Sequence, residues 1–453
     1  MIFKFEKDGY QIVLDINSGS IHVVDPLIYQ LIDDYPNPEE EKLIDRYKDH
    51  PEYDEQIVKL GLKEINQLIE KNLLFSEKPK KPYQFNHVVK ALCLHIAHDC
   101  NIRCEYCFAA QGNFKGDNLL MNNEVGEKAI DFLIKNSGNR RNLEVDFFGG
   151  EPLLNFDVVK HLVFYGKEKA KFHHKNLRFT ITTNGTLLNE ENRKFINEHM
   201  ANVVLSIDGT KETNDRMRYY ANKKGTYEDI LPKLQLMVEE RGEKDYYLRG
   251  TFTKYNVDFA KDVLHFSDLG FKNLSIEPVV ADKTEQYALT EEDLPKIFEE
   301  YDKLEEAYFQ RLNTDKTFEF FHFKFNLESN PCQEKRALGC GAGVEYLSVT
   351  PEGDFYPCHQ FAGDPNFKMG NVIKGQELDQ NICSVFKNAN VEKKAECSKC
   401  WAKYYCSGGC HANAYNENQD LMKPYELGCE MEKKRIQNSI IIEVKKRMGA
   451  NTL

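Results

Sequence analysis

The sequence predicts an α/β protein: a partial (β/α)6, TIM-like barrel, preceded by a winged-helix-like unit and followed by a cysteine-rich domain. Three observations carry that expectation. Six strand-like runs alternate with helical patterns from residue 90, a short loop after the first run holds Cys100, Cys104 and Cys107, and further cysteines crowd the last quarter of the chain. Composition agrees. With 453 residues, 41% hydrophobic and 29% charged, the chain is long enough for two or three packed domains. A net charge of −12 argues against a general nucleic-acid binder. No apolar run approaches a membrane span and MIFKFEKDGY lacks a signal-peptide pattern, so a cytoplasmic, reducing location without membrane contact is expected. Thirteen cysteines in short, uneven groups then read as metal ligands rather than as a disulfide framework.

Residues 1–75 read as a unit of their own. Gln11–Asp15 and Ser20–Val24 are strand-like and flank Asn17-Ser18-Gly19, a turn sequence that favours an antiparallel pair. Leu27, Leu31 and Ile32 share one helical face, Glu40–Tyr47 form a second helix, and Leu62, Ile65, Leu68 and Ile69 mark a third. A small sheet with a free edge can take up an extended peptide by strand addition; it can equally be a packing cap on the next domain. Lys78-Pro79-Lys80-Lys81-Pro82 breaks the periodicity, which makes 76–89 a linker.

The barrel is expected over 90–315. Its strands are Ala91–Ala97, Leu143–Phe148, Leu177–Thr183, Val203–Ile207, Tyr246–Thr253 and Leu274–Val280, with helices at 123–136, 157–171, 189–200, 227–241, 257–268 and 291–312. Sites in such folds lie at the C-terminal ends of strands. Strand one runs into Cys100-x3-Cys104-x2-Cys107, whose thiolates can hold three corners of an iron–sulfur cluster and leave one iron open to a reactant; a three-cysteine zinc site is the alternative. Strand two runs into Gly149-Gly150-Glu151-Pro152, where the glycines allow close backbone approach and Glu151 can accept from a cationic amine. Strands three and four end near Asn184 and at Ser206 and Asp208, polar groups suited to a ribose or carboxylate or, equally, to ordinary turns. Arg249 on strand five and Arg218 after strand four are candidate partners for a carboxylate, unless they pair at the surface. Glu277 on strand six either faces the interior or closes a structural ion pair.

The remaining cysteines are expected behind the barrel, in a domain over 316–435 that a helix at 436–453 follows. Cys340, Cys358, Cys397-x2-Cys400-x5-Cys406-x3-Cys410 and Cys429 are too many for one cluster; two four-iron clusters take up to eight ligands, and a pair of zinc sites is the alternative. Cys332 either supplies the missing ligand or is an ordinary buried thiol. Cys93 in strand one and Cys383 in a helical run read as buried apolar thiols.

CxxxCxxC with Tyr106 before its last cysteine resembles the signature of radical S-adenosylmethionine (SAM) enzymes. The resemblance implies that SAM chelates the open iron, that Gly149, Gly150, Glu151 and Pro152 bind its methionyl amino group, and that Tyr106, Asn184, Ser206, Asp208 and Arg249 contact it. Cys340-x12-Gly353-x4-Cys358, the four-cysteine run and Cys429 resemble the SPASM extension of peptide-modifying members. Carried over, Cys397, Cys400, Cys406 and Cys429 hold an outer [4Fe-4S] cluster and Cys340, Cys358 and Cys410 an inner one, three clusters in all with the first. The N-terminal unit is similar to leader-peptide recognition elements, and the whole chain then resembles the maturases of six-cysteine peptides known as SCIFFs. This implies a cysteine-rich precursor peptide bound through its leader and a flavodoxin- or ferredoxin-type reductant. It also implies reductive cleavage of SAM to a 5′-deoxyadenosyl radical, which takes hydrogen from a peptide carbon before a cysteine sulfur bonds there. Oxidation of a cysteine or serine as in sulfatase-maturing enzymes, carbon–carbon crosslinking, and a non-enzymatic electron-transfer scaffold are the alternatives.

Overall fold

The computed structural model describes residues 1–78, 88–325, 327 and 336–450. Most of the 76–89 linker and all of Cys332 lie outside the described residues. Among the described residues no helix is long and apolar enough to cross a membrane.

The N-terminal unit is a three-stranded antiparallel sheet of β1 (Ile2–Lys7), β2 (Tyr10–Asp15) and β3 (Ile21–Val24), in that order. The strand β1 was not among the predicted runs. Its signal is Asp8-Gly9, whose positive φ angles of 53° and 79° build the two-residue turn between paired Lys7 and Tyr10. Buried Asp15 accepts from Ser18 N at 2.8 Å and Ser76 N at 2.9 Å, tying the next turn to the chain beyond the third helix. Helices Pro26–Leu31, Glu40–Tyr47 and Glu55–Glu70 close a core around Leu27, Leu31, Leu43, Leu62 and Ile65. A second core joins this sheet to the C-terminal region. Phe5, Ile12, Leu14 and Ile16 share it with Tyr404, Tyr405, Ile436 and Ile440, and the Phe3 ring stacks on Trp401 with centroids 3.9 Å apart.

Six parallel strands then follow in sequence order: β4 (Ala91–His98), β7 (Asn142–Gly149), β8 (Asn176–Thr183), β9 (Asn202–Ser206), β11 (Tyr246–Phe252) and β12 (Asn273–Pro278). Short β5 (Arg103–Cys104), β6 (Leu119–Leu120) and β10 (Arg218–Tyr219) lie between them in the chain. Strand β4 is buried along its whole length, as a parallel strand covered on both faces must be. Leu94, Ile96, Val145 and Phe147 of the sheet pack against Val125, Ile130, Leu133 and Leu162 of the helices Asn123–Asn136 and Phe156–Phe172.

The sheet is an open, partial barrel. It continues past β12 into parallel β13 (Glu319–Phe320), so the 315/316 boundary cuts the sheet one strand early. At the other end β14 (Tyr346–Val349) pairs in parallel with β4 and is followed by antiparallel β15 (Asp354–Tyr356) and β16 (Gly370–Asn371). The expectation that the cysteine-rich region lies behind the barrel is therefore wrong. By covering the open edge of β4, it extends the sheet and brings Cys406, Cys410 and Cys429 to the cavity that also holds Cys100. The last helix, Glu426–Ala450, starts ten residues before position 436 and carries Cys429 in its first turn.

Candidate active site

The first cysteine loop is anchored at both ends. β5 pairs antiparallel with β10, which sets Cys104 opposite Arg218. Asp99 accepts from Cys100 N at 2.8 Å and gives its carbonyl to Glu151 N at 2.9 Å. Where β7 ends, Gly149 and Gly150 are required: a Cβ would stand 2.3 Å from the Ala97 carbonyl oxygen at the first and 2.0 Å from that of Asp99 at the second. Only glycine lets the two strand ends close this far.

Cys100, Cys104, Cys107, Tyr106, Gly149, Gly150, Asn184, Ser206 and Arg249 line one cavity of about 580 Å³. Glu151, Pro152 and Asp208 do not. The Glu151 carboxylate accepts from Leu153 N (2.9 Å), Thr183 Oγ1 (2.8 Å) and Asn184 N (2.7 Å), while burial pushes its pKa up to about 7. It is a strut between the ends of β7 and β8, with donors on both oxygens. Pro152 opens the turn Pro152–Asn155. Asn184, held by that strut, directs Nδ2 to Cys100 Sγ at 3.7 Å and to Asn101 Oδ1 at 3.0 Å.

Asp208 is engaged by neighbouring donors in the same way. It is 1% exposed, takes the Tyr106 hydroxyl on both oxygens (2.6 and 2.8 Å) and accepts from Thr251 N at 3.0 Å. Burial pushes its pKa up to about 6 against the pull of Arg218. Arg218 is no surface residue: it is 6% exposed and donates to Tyr106 Oη at 3.2 Å and to the Ser206 carbonyl at 3.1 Å. Among the described residues its Nε has no hydrogen-bond partner. The Tyr106–Asp208–Arg218 chain thus orients the loop and sets a positive charge behind it. Burial raises Cys100 to about 11 and Cys104 to about 12, and Arg218 opposes both shifts, favouring the thiolate form that a metal requires.

Also on the cavity wall, Arg249 Nε stands 3.9 Å from Glu277. Glu277 is both cavity wall and ion pair: burial raises its pKa, but His322 at 3.2 Å and Arg249 hold it well below the usual carboxylate range. Phe108, Phe148 and His359 form an aromatic wall that the sequence reading missed, with centroids 4.9 to 6.4 Å apart. Their signal was adjacency. Phe108 follows Cys107, Phe148 precedes Gly149, and His359 follows Cys358.

The C-terminal thiols fall into two neighbourhoods. Burial raises Cys358, whose charged neighbours are Cys410 and Cys340. Burial also raises Cys406 and Cys429 to about 12; both neighbour Cys397, and Cys429 neighbours Cys400. Cys397, Cys400, Cys406 and Cys429 line a second cavity of about 670 Å³. Cys93 is buried and Cys383 half-buried. Among the described residues no three His, Cys, Asp or Glu side chains close on a point that would hold a single metal ion.

The chain matches the model of the 4Fe-4S single cluster domain over residues 90–229 and that of the SPASM iron–sulfur cluster-binding domain over 340–401. The cysteine-type anaerobic sulfatase-maturating enzyme of Clostridium novyi is 26% identical over 339 residues, 70% of this chain and 86% of that one. Among solved structures, native anSMEcpe with bound AdoMet has a TM-score of 0.62 at 19% identity, over 77% of this chain and 97% of that one. Streptococcus suis SuiB bound to the precursor peptide SuiA has a TM-score of 0.53 at 16% identity, over 94% and 97%. The donor set fits iron–sulfur chemistry: three thiols beside a guanidinium and a cavity at the barrel mouth, and two further thiol groups on its far side. These matches and the donor set together support membership of the radical SAM family with a SPASM domain, and the cofactors are SAM and several [4Fe-4S] clusters.

Proposed function

We propose that the protein is a cytoplasmic peptide maturase that forms a thioether, from a cysteine sulfur to a peptide carbon, in a ribosomally made cysteine-rich precursor. The N-terminal sheet carries this reading. On its outer side β3 pairs with no other described strand, and Val23 on it is 44% exposed, so an extended leader can add there. SuiB, solved with a precursor peptide, covers 94% of this chain, which leaves unmatched less than the length of residues 1–75. A flavodoxin- or ferredoxin-type protein is the proposed reductant, and three clusters the proposed complement.

When bound, SAM on the first cluster supplies hydrogen-atom abstraction, and the auxiliary clusters supply an acceptor for the electron released as sulfur bonds to carbon. The chain's own residues place the reactants. Arg218 and Tyr106 orient the Cys100–Cys107 loop, Arg249 and Glu277 offer charge to polar groups of bound ligands, and Phe108, Phe148 and His359 exclude water from the reacting carbon. Oxidation of a cysteine or serine side chain is the second reading, favoured by the sulfatase-maturating relative.

Mass analysis of a cysteine-rich precursor, incubated with reconstituted protein, SAM and a reductant, separates the two. Thioether formation removes one hydrogen from sulfur and one from carbon and blocks that thiol to alkylation; aldehyde formation from cysteine exchanges sulfur for oxygen with loss of two hydrogens, and from serine removes two hydrogens but leaves every thiol open to alkylation. A precursor recovered unchanged while 5′-deoxyadenosine accumulates would refute peptide maturation of that class.

A further inference from the structure

Lys394 stands between the two C-terminal groups of cysteines. It immediately precedes the helix Ala395–Lys399, which carries Cys397, and its side chain runs inward to donate from Nζ to the Gly408 carbonyl at 3.0 Å. Gly408 lies in the hop from Cys406 to Cys410, where Ser407, Gly408 and Gly409 take positive φ angles of 64°, 88° and 72°. One end of this lysine is therefore joined to an outer-group ligand and the other to the loop that links an outer ligand to an inner one.

The residue is 0% exposed. Among the described residues no carboxylate lies within ion-pair distance of its ammonium, whereas Lys403, also buried, has Glu392 at 3.7 Å. The charges it does meet are sulfurs, those of Cys397, Cys406 and Cys429 from one group and Cys410 from the other. A buried ammonium without an anion is costly. A [4Fe-4S] cluster on four thiolates carries net negative charge, more so when reduced, and so supplies the missing anion.

We propose that Lys394 is the shared counter-cation of the two auxiliary clusters, a positioning residue that raises the reduction potential of both and joins their ligand loops. This rests on the two-cluster reading of residues 340–429. A fixed positive charge favours the form carrying the extra electron, and the effect falls with distance. The outer cluster should feel it more, because three of the four neighbouring sulfurs belong to that group.

The test uses reconstituted full-length protein and its Lys394→Met and Lys394→Arg variants, titrated electrochemically with each cluster followed by electron paramagnetic resonance. In Lys394→Met both auxiliary potentials are expected to move negative, the outer one further, while the first cluster stays put and Lys394→Arg stays near the parent. Unchanged auxiliary potentials in iron-replete Lys394→Met overturn the proposal. Where Lys394→Met sheds auxiliary iron, release to a chelator decides instead: parent-like retention by Lys394→Arg supports the charge role, and equal loss from both variants shows a packing role and overturns it. Parent protein without any auxiliary signal would fail the two-cluster reading itself, a result distinct from either.

Discussion

The Cys100–Cys107 loop hangs from a sheet whose apolar core packs independently of it, whereas the cysteines from Cys340 to Cys429 lie in a region built mostly of short strands and short helices. Behind the first loop stand Leu94, Ile96, Val145 and Phe147, all fully buried. Around the second, Cys397 and Cys406 sit on helices of five and four residues, too short to hold themselves. Metal is therefore expected to be a guest at the barrel mouth and a structural element beyond it. The N-terminal unit sides with the second region, since its sheet shares a core with Tyr404, Tyr405 and the last helix.

Stripping iron with a chelator should break this contrast open. Where binding energy is folding energy, the 390–425 segment is expected to become protease-sensitive while 90–320 stays resistant, and Trp401 fluorescence should report the loss of its stacking on Phe3. Uniform resistance in both regions would remove the distinction. Replacing Cys100, Cys104 and Cys107 together by Ala tests the other side. SAM cleavage should vanish and iron content fall from about twelve to about eight per chain, with the melting transition little changed. Retained 5′-deoxyadenosine production would place the radical chemistry elsewhere.

A smaller effect is expected from Tyr106→Phe, which removes a donor from the buried Asp208 carboxylate and should cost ~1–3 kcal/mol in denaturant unfolding at neutral pH. The sign with pH follows from the raised Asp208 value. Between its ordinary 3.8 and about 6 the folded state binds the more protons, so this group's contribution to stability declines as pH rises through that window. Without the tyrosine donor the decline should extend to higher pH, visible as a widening gap between variant and parent unfolding midpoints; a constant gap would show that the hydroxyl does not act on Asp208. Smallest is Val23→Asp on the edge of the N-terminal sheet, expected to weaken leader binding severalfold and leave uncoupled SAM cleavage unchanged. A fluorescent leader fragment titrated against both proteins checks it. Deleting residues 1–75 is a poorer probe, because it would also strip Phe3, Ile12 and Leu14 from the core beside Cys397 and Cys400.

What the sequence determined by itself was whatever depends on local spacing. The alternation of two-residue and 3.6-residue periods located all six barrel strands to within a few residues, and the three-and-two spacing of Cys100, Cys104 and Cys107 marked the cluster loop. Side-chain direction and distant pairing were not. Glu151 and Asp208 look like ligands for a bound molecule when read beside their motifs, yet each is consumed by donors that only the folded strand ends bring together: Thr183 and Asn184 for one, Tyr106 and Thr251 for the other. Arg218 reaches Cys104 through a pairing of two-residue strands too short to carry a period, and β14 finds the edge of β4 across some 250 residues. Periodicity is a property of neighbours in the chain, whereas the satisfaction of a buried carboxylate or an open sheet edge is a property of neighbours in space, and only the tertiary structure decides which those are.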